Sequence, residues 1–143
     1  MDFLSSMRIS ASGLDAQQKR METISSNIAN AETTSPDGPY KRKDPVFTAV
    51  TDKKSFGDIL NNEMDEHAQG VMVSEVAEDT RPPRLVYNPS HPHARPDGYV
   101  EMPNVNTVEE MANMVSAQRA YESNITALNA AKSMAIKALD IGK

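Results

Sequence analysis

The chain of 143 residues has no cysteine and no tryptophan, and aromatic residues make up only 5% of it. Without cysteine the protein forms no disulfide framework and offers no thiolate ligand to a metal. Because aromatics are scarce, nine methionines supply much of the material for a core. We therefore expect a small core, and the length fits one ordinary domain, or a small folded module carrying long helical extensions, better than two full domains.

An excess of positive charge is also missing, since the formal net charge is -5. Nucleic-acid binding proteins usually carry a broad basic surface, and only residues 41–43 form a local basic cluster here. We interpret that cluster as a solvated or inter-subunit surface. Nucleic acid is therefore not an expected partner.

The N-terminus lacks the basic region and apolar run of a cleaved secretory signal, and no segment approaches membrane-spanning length. If the protein leaves the cytoplasm, we expect another export route.

Recognisable catalytic patterns are missing as well, since there is no phosphate-binding glycine loop, nucleophile elbow or HExxH motif. His91, His93 and Asp97 lie close in sequence, but the intervening prolines and the absence of thiolates argue against a metal site. We predict no enzyme activity, no cofactor and no small-molecule substrate. A hydrolase built on His91 or His93 is the one concrete enzymatic alternative.

What is present begins with a helical pattern in the first segment, residues 1–35. Apolar residues recur at alternating steps of three and four, with polar gaps at Gln18 and Ser25. They are Leu4, Met7, Ala11, Leu14, Met21 and Ile28, and we predict that they are the packing residues of this segment. The turn residues at 35–39 cannot continue a helix, so we expect this helix to end near Ala31.

Residues 36–104 are proline-rich and hold four short β-favouring runs, at 46–50, 71–76, 84–87 and 99–100. They predict a small β-rich module with a flexible insert at about 51–70. Within the insert, the spacing of Phe56, Ile59, Leu60 and Met64 suits a short helix. Asp97-Gly98 predicts a turn before the last strand.

Residues 105–143 predict a second long helix. Asn106 with Glu109 and Thr107 with Glu110 each offer a capping box at its start, and Gly142 is a natural stop. Three-and-four spacing continues through this segment up to Asp140, with Ala135 as one of its members. The residues predicted to pack against neighbouring chains are Val108, Met111, Val115, Tyr121, Ile125, Leu128 and Leu139. The fold class expected is α+β, with two terminal helices forming a coiled-coil-like pair or bundle.

The N-terminal segment has too few apolar anchors to hold itself in a helix. Ordering each residue costs about 1–2 kcal/mol, whereas each buried anchor returns roughly 1.5–3 kcal/mol. Its partner is either the C-terminal helix, in an intramolecular hairpin, or other chains. Small residues on several sides of the C-terminal helix, such as Ala112, Ala117 and Ala127, favour a bundle of many chains.

Several segments resemble the flagellar basal-body rod and hook axial proteins. Residues 9–22 and 25–34 are similar to the asparagine-rich signature that follows the first helix of that family, with Asn27, Ala29 and Asn30 as its carriers. Residues 39–47, 82–106 and 109–143 resemble the proximal-rod members in particular. By residues alone, the cluster of Asn27, Asn30, Thr33 and Thr34 is better explained as a polar helix end with caps.

The resemblance implies a structural, self-assembling subunit of the bacterial flagellum that transmits torque through its packed helices. It implies export through the flagellar type III apparatus without a cleaved signal peptide, an N-terminal segment disordered in the monomer, and a place in the periplasmic rod. Implied partners are other rod subunits, including copies of this chain, and the rod-to-ring junction protein. The alternative is a cytoplasmic coiled-coil adaptor or export chaperone.

Overall fold

The structure is a computed structural model that describes residues 3–51 and 68–141. Two long helices, α1 (Phe3–Ala29) and α2 (Thr107–Ile141), enclose four strands in sequence. The strands are β1 (Lys43–Thr51), β2 (Ala68–Glu78), β3 (Arg84–Tyr87) and β4 (Tyr99–Met102). This arrangement confirms the α+β class. The short helix predicted around residues 56–64 lies outside the described residues.

Helix α1 ends two residues before the expected position, because Asn30 turns the chain. The Asn30 backbone and its side-chain amide both donate to the Ser26 carbonyl, at 3.1 and 2.8 Å. Thr33 then donates its hydroxyl to the Asn30 side-chain oxygen at 3.2 Å. Such local side-chain bonds compete with helix continuation and produce the turn that leads to Pro36.

The strands form two separate antiparallel hairpins, β1 with β2 and β3 with β4. β3 matches its predicted range, and β1 and β2 extend beyond theirs, with irregular register after Val46 and after Val50. Gly98 adopts a positive φ of 81° in the predicted turn, where the Tyr99 backbone N–H donates to Asp97. The turn lets Tyr87 and Tyr99 meet edge to face, with ring centroids 5.2 Å apart.

Helices α1 and α2 pack antiparallel along most of their length. Asn27 bonds to Glu110, and fourteen residues along each helix Gly13 lies against Asn124. Among the described helices and strands, α2 packs on α1 alone, while α1 also contacts β1 and β2. Over the described residues, neither helix is long and apolar enough to span a membrane.

The apolar core is small and built from small side chains. Its most buried members are Ala16, Ile24, Val100, Val105, Ala117 and Ala131. Strand β2 reaches α1 where a Cβ on Gly70 would come within 2.4 Å of the Ser12 hydroxyl oxygen, so only glycine fits there. That hydroxyl accepts from the Val71 backbone at 3.1 Å and ties the hairpin to the helix.

Candidate assembly interface and its buried junction

The end of α1, the start of β1 and the start of α2 meet at Asn27, whose side chain is 1% exposed. Its amide nitrogen donates to the Lys43 carbonyl at 2.8 Å and to Glu110 Oε2 at 3.0 Å. Its oxygen accepts from the Lys43 backbone N–H and from the Tyr40 hydroxyl, both at 2.9 Å. All four hydrogen-bonding positions of the amide are therefore used.

Glu110 is equally buried, at 1% exposure, and is neutralised by Arg42. The guanidinium approaches Glu110 Oε1 through Nε at 3.0 Å and through Nη2 at 2.9 Å. A buried carboxylate is stable only when it is paired and hydrogen-bonded, and Glu110 is both. We call Asn27, Tyr40, Arg42, Lys43 and Glu110 the junction.

Two opposing effects act on the pKa of Arg42 in the junction. Burial by itself lowers the pKa of its guanidinium, but hydrogen bonding and attraction from Glu110, followed by those from Asp44, raise the pKa above the usual value. The side chain is only 14% exposed. This corrects our interpretation of residues 41–43 as a solvated or inter-subunit cluster, because the central residue faces inward.

The start of α2 also differs from the sequence expectation. The Asn106 side chain caps the helix by accepting from the Val108 backbone at 3.1 Å. The Glu110 carboxylate, predicted to close a capping box with Thr107, bonds to Arg42 and Asn27 instead. Long-range ion pairing outweighs the local cap because Glu110 is buried among charged and polar partners.

The signature residues divide into two kinds. Asn30 acts locally at the helix end, as the interpretation by residues alone predicts, and Ala29 is exposed. Asn27 does not fit that interpretation, because its partners lie in β1 and α2. Sequence reasoning missed its partners Tyr40, Lys43 and Glu110, and also missed Arg42, which pairs with Glu110.

The face of α2 that packs on α1, which we call the inner face, follows alternating steps of four and three. Its buried and half-buried members are Glu110, Met114, Ala117, Tyr121, Asn124, Leu128, Ala131 and Ala135. Ala117 is fully buried and Ala131 is 5% exposed, so the helices approach closely there. Tyr121 and Leu128, predicted to pack against other subunits, lie on this inner face.

A second line of apolar residues runs along the flank of α2, roughly 100° around the helix axis from the inner face. We call it the outer stripe. Its members and exposures are Val108 76%, Met111 55%, Val115 48%, Ile125 38%, Ile136 51% and Leu139 74%. Exposed polar residues at 118, 122, 129 and 132 interrupt it. All but Ile136 belong to the predicted packing set, and their role in subunit contacts stays a prediction.

The predicted N-terminal packing residues also lie away from the inner contact. Leu4 is 67% exposed and Ala11 is exposed, while Met7, Leu14, Met21 and Ile28 are half-buried. The buried positions of α1 are Ala16, Thr23, Ile24 and Asn27. At about 100° per residue, Leu14 and Met21 point roughly 120–160° away from Ala16 and Asn27.

One further concave surface is an open groove between residues 37–42 and 78–83, of about 540 Å³. Its charges already neutralise one another, with Lys41 3.4 Å from Glu78 and Arg81 2.5 Å from Asp79. Hydrogen bonds from the Arg81 side chain and backbone lower the pKa of Asp79 to about 2. These four charged side chains are therefore paired with one another and do not point at a ligand site in the groove.

His91 and His93 interact with each other and with the turn after α1. Their rings are 5.5 Å apart, and His93 Nδ1 lies 3.0 Å from the Thr34 hydroxyl. Within the part of the chain that the structure describes, no three acidic or histidine side chains are grouped to hold a metal. The two histidines therefore connect the loop between β3 and β4 to the turn that follows α1.

Two family models match the two ends of the chain. Residues 7–36 match the model described as flagella basal body rod protein, and residues 97–141 match that of the flagellar basal body rod FlgEFG protein C-terminal region. These matches cover most of α1 and α2, the antiparallel pair described above. The fold and its terminal helices thus define a flagellar rod-type axial protein.

Full-length relatives narrow the class. The flagellar basal-body rod protein FlgC of Bacillus subtilis is 44% identical, over 96% of this chain and 97% of its own. Those of Borreliella burgdorferi and Salmonella typhimurium are 42% and 41% identical, over 98% or more of both chains. This chain belongs to the FlgC family of flagellar basal-body rod proteins.

Proposed function

We propose that this protein is a structural subunit of the flagellar basal-body rod, which polymerises through its terminal helices and transmits torque. Family membership supports the structural role, since the relatives are named as rod proteins. The observation that carries the mode of assembly is the outer stripe. Six apolar side chains stand 38–76% exposed along one helix, where a monomer would gain from covering them.

Contact on several sides suits a tube more than a two-stranded pair. Besides the outer stripe, Leu4 and Ala11 on α1 and the exposed alanines 112, 127, 130 and 138 on α2 leave room for close neighbours. Heterologous contacts of this kind extend an array because one surface meets a different surface of the next subunit. Residues 36–104 would then form a module beside the helical array.

The partners we propose are copies of this chain, other rod subunits and the rod-to-ring junction protein. We infer a place in the periplasmic part of the rod, reached through the flagellar type III apparatus without a cleaved signal. The function requires no catalysis, cofactor or small-molecule substrate. The relatives give no support to the adaptor or export-chaperone alternative.

The N-terminal segment, residues 1–35, is proposed to be disordered in the free monomer and to fold on assembly. Its buried face consists of small and polar side chains such as Ala16 and Thr23, which bury little apolar area. Limited proteolysis of the dilute full chain should therefore cut within residues 1–30, and assembly should remove that cleavage. Full protection of the dilute monomer would contradict the proposal.

The experiment that tests assembly compares two aspartate substitutions one position apart. Val115→Asp places a charge in the outer stripe and should abolish swimming and rod formation in cells that depend on this chain. Ser116→Asp adds the same charge at an exposed position beside the stripe and should swim normally. Normal motility of the Val115 variant would show that the stripe is not an assembly surface.

A further inference from the structure

Packing alone does not fix how far α1 lies along α2. Gly13 sits against Asn124, and small residues of the inner face recur seven positions to either side, at Ala117 and Ala131. These alanines are 0% and 5% exposed, so each provides a close-approach site like the one that Gly13 uses. A slide of seven residues, roughly 10 Å, would preserve this pattern.

The two possible slides differ in what happens to polar side chains. If Gly13 moved opposite Ala131, Asn27 would come opposite Ala117, an apolar side chain that offers it no hydrogen bond. If Gly13 moved opposite Ala117, Arg20 would come opposite Glu110 and could pair with it in place of Asn27 and Arg42. The second slide is therefore the stronger competitor, and it leaves Asn27 beyond the start of α2.

We propose that Asn27 sets the register of α1 on α2. In the observed register its amide satisfies four bonds at once, joining Glu110 of α2 to the backbone of Lys43 in β1. A buried amide that loses such partners carries a large desolvation penalty, whereas glycine can pack against an alanine in either slide. A single buried polar residue fixes helix register in other paired helices by the same physics.

The register has a consequence for the surface of the molecule. It decides which half-buried apolar residue of α1, such as Leu14 or Met21, lies beside which part of the outer stripe. Asn27 also contacts β1, so the same residue fixes where the β hairpin stands along the helix pair. This inference concerns the folded chain itself and holds whether or not the outer stripe mediates assembly.

Cysteine cross-linking reads the register directly, because the chain has no cysteine of its own. Gly13→Cys is combined with Asn124→Cys for the observed register, and with Ala117→Cys or Ala131→Cys for the two slides. The Asn124→Cys substitution also removes the amide nitrogen that would lie 2.9 Å from a Cβ at position 13, so the new cysteine at 13 does not clash with it. The full chain is equilibrated in glutathione buffer with trimethylamine N-oxide, at a concentration where α1 resists protease.

With Asn27 present, the pair at 13 and 124 should form roughly tenfold more disulfide than either slipped pair. Asn27→Leu should reduce that preference to within about twofold, with the pair at 13 and 117 gaining most. Asn27→Ser is a second, less disruptive substitution, because the serine hydroxyl can bond within its own helix. Serine is too short to reach Glu110, so this variant should lose the preference for the observed register in the same way.

Thr23→Val is the matched control. Thr23 is buried like Asn27, but its hydroxyl bonds to Lys19 of its own helix at 2.9 Å, so its removal should leave the register ratio unchanged. A wild-type ratio in both Asn27 variants would overturn the proposal and place the register elsewhere. Equal cross-linking of all three pairs in the protein that retains Asn27 would overturn it too.

Discussion

The inner face and the outer stripe of α2 differ in their most buried and most exposed side chains. The inner face buries Glu110 and alanines against α1, with Met114, Tyr121 and Leu128 only half-buried, whereas the outer stripe holds large apolar residues in solvent. An independently folding domain normally has the reverse distribution. Under the proposed mode of assembly, contacts within the chain specify geometry, and contacts between chains would bury the outer stripe.

The relative position of the two helices is specified by buried polar groups that can hydrogen-bond only to particular partners. Small residues allow the helices to approach, but they contribute little area and are nearly interchangeable along the seam. Asn27 and Glu110 instead require particular partners, because each is only 1% exposed. The N-terminal signature is therefore best understood through the buried contacts of one of its asparagines.

Breaking the inner contact should have the largest effect on stability. Arg42→Leu removes the cation that neutralises buried Glu110, and we expect a loss of about 3 kcal/mol in the free energy of unfolding. Urea unfolding in trimethylamine N-oxide, followed by circular dichroism, measures it. Lys41→Leu is the control, since Lys41 and Glu78 are 66% and 55% exposed, and it should change stability by at most about 1 kcal/mol.

A double variant sharpens the result. Adding Glu110→Leu to Arg42→Leu removes the unpaired buried charge, so part of the lost stability should return. If Arg42→Leu alone proved as mild as Lys41→Leu, the junction would contribute no more than an exposed ion pair. The inner face would then lack the polar specificity that distinguishes it from the outer stripe.

The sequence predicted the elements of the fold well, because their signals are local. Apolar spacing predicted both helices, and β3 occupies its predicted residues. Proline and glycine marked the turn at Asp97-Gly98, where the positive φ is found. The fold class followed from the order of these segments.

The partners within the junction could not be predicted in the same way. Arg42 and Glu110 lie far apart in the chain, and each had a plausible local explanation, as part of a basic cluster and as part of a capping box. Apolar spacing alone did not separate the inner face of α2 from the outer stripe. Tyr121 and Leu128 of the inner face were therefore predicted to pack against other subunits together with Met111 and Val115 of the stripe. One signal was available: the inner positions 110, 117, 124 and 131 recur every seven residues and contain no large apolar side chain.

The smallest expected effect on stability belongs to the outer stripe, and it completes the comparison. Met111→Gln and Ile136→Gln replace side chains that are 55% and 51% exposed, so each should change the free energy of unfolding by less than about 0.5 kcal/mol.

Assembly should respond differently, because each variant places an amide in a contact that excludes water. Sedimentation of the purified chain over a concentration series should show self-association moving to higher concentration for each variant, and further for the double variant. Ser116→Gln, at an exposed position beside the stripe, controls for the added amide and should associate like the wild type. If the stripe variants destabilised the monomer as much as Arg42→Leu, the outer stripe would belong to the fold of the single chain, and the contrast between the two faces of α2 would be wrong.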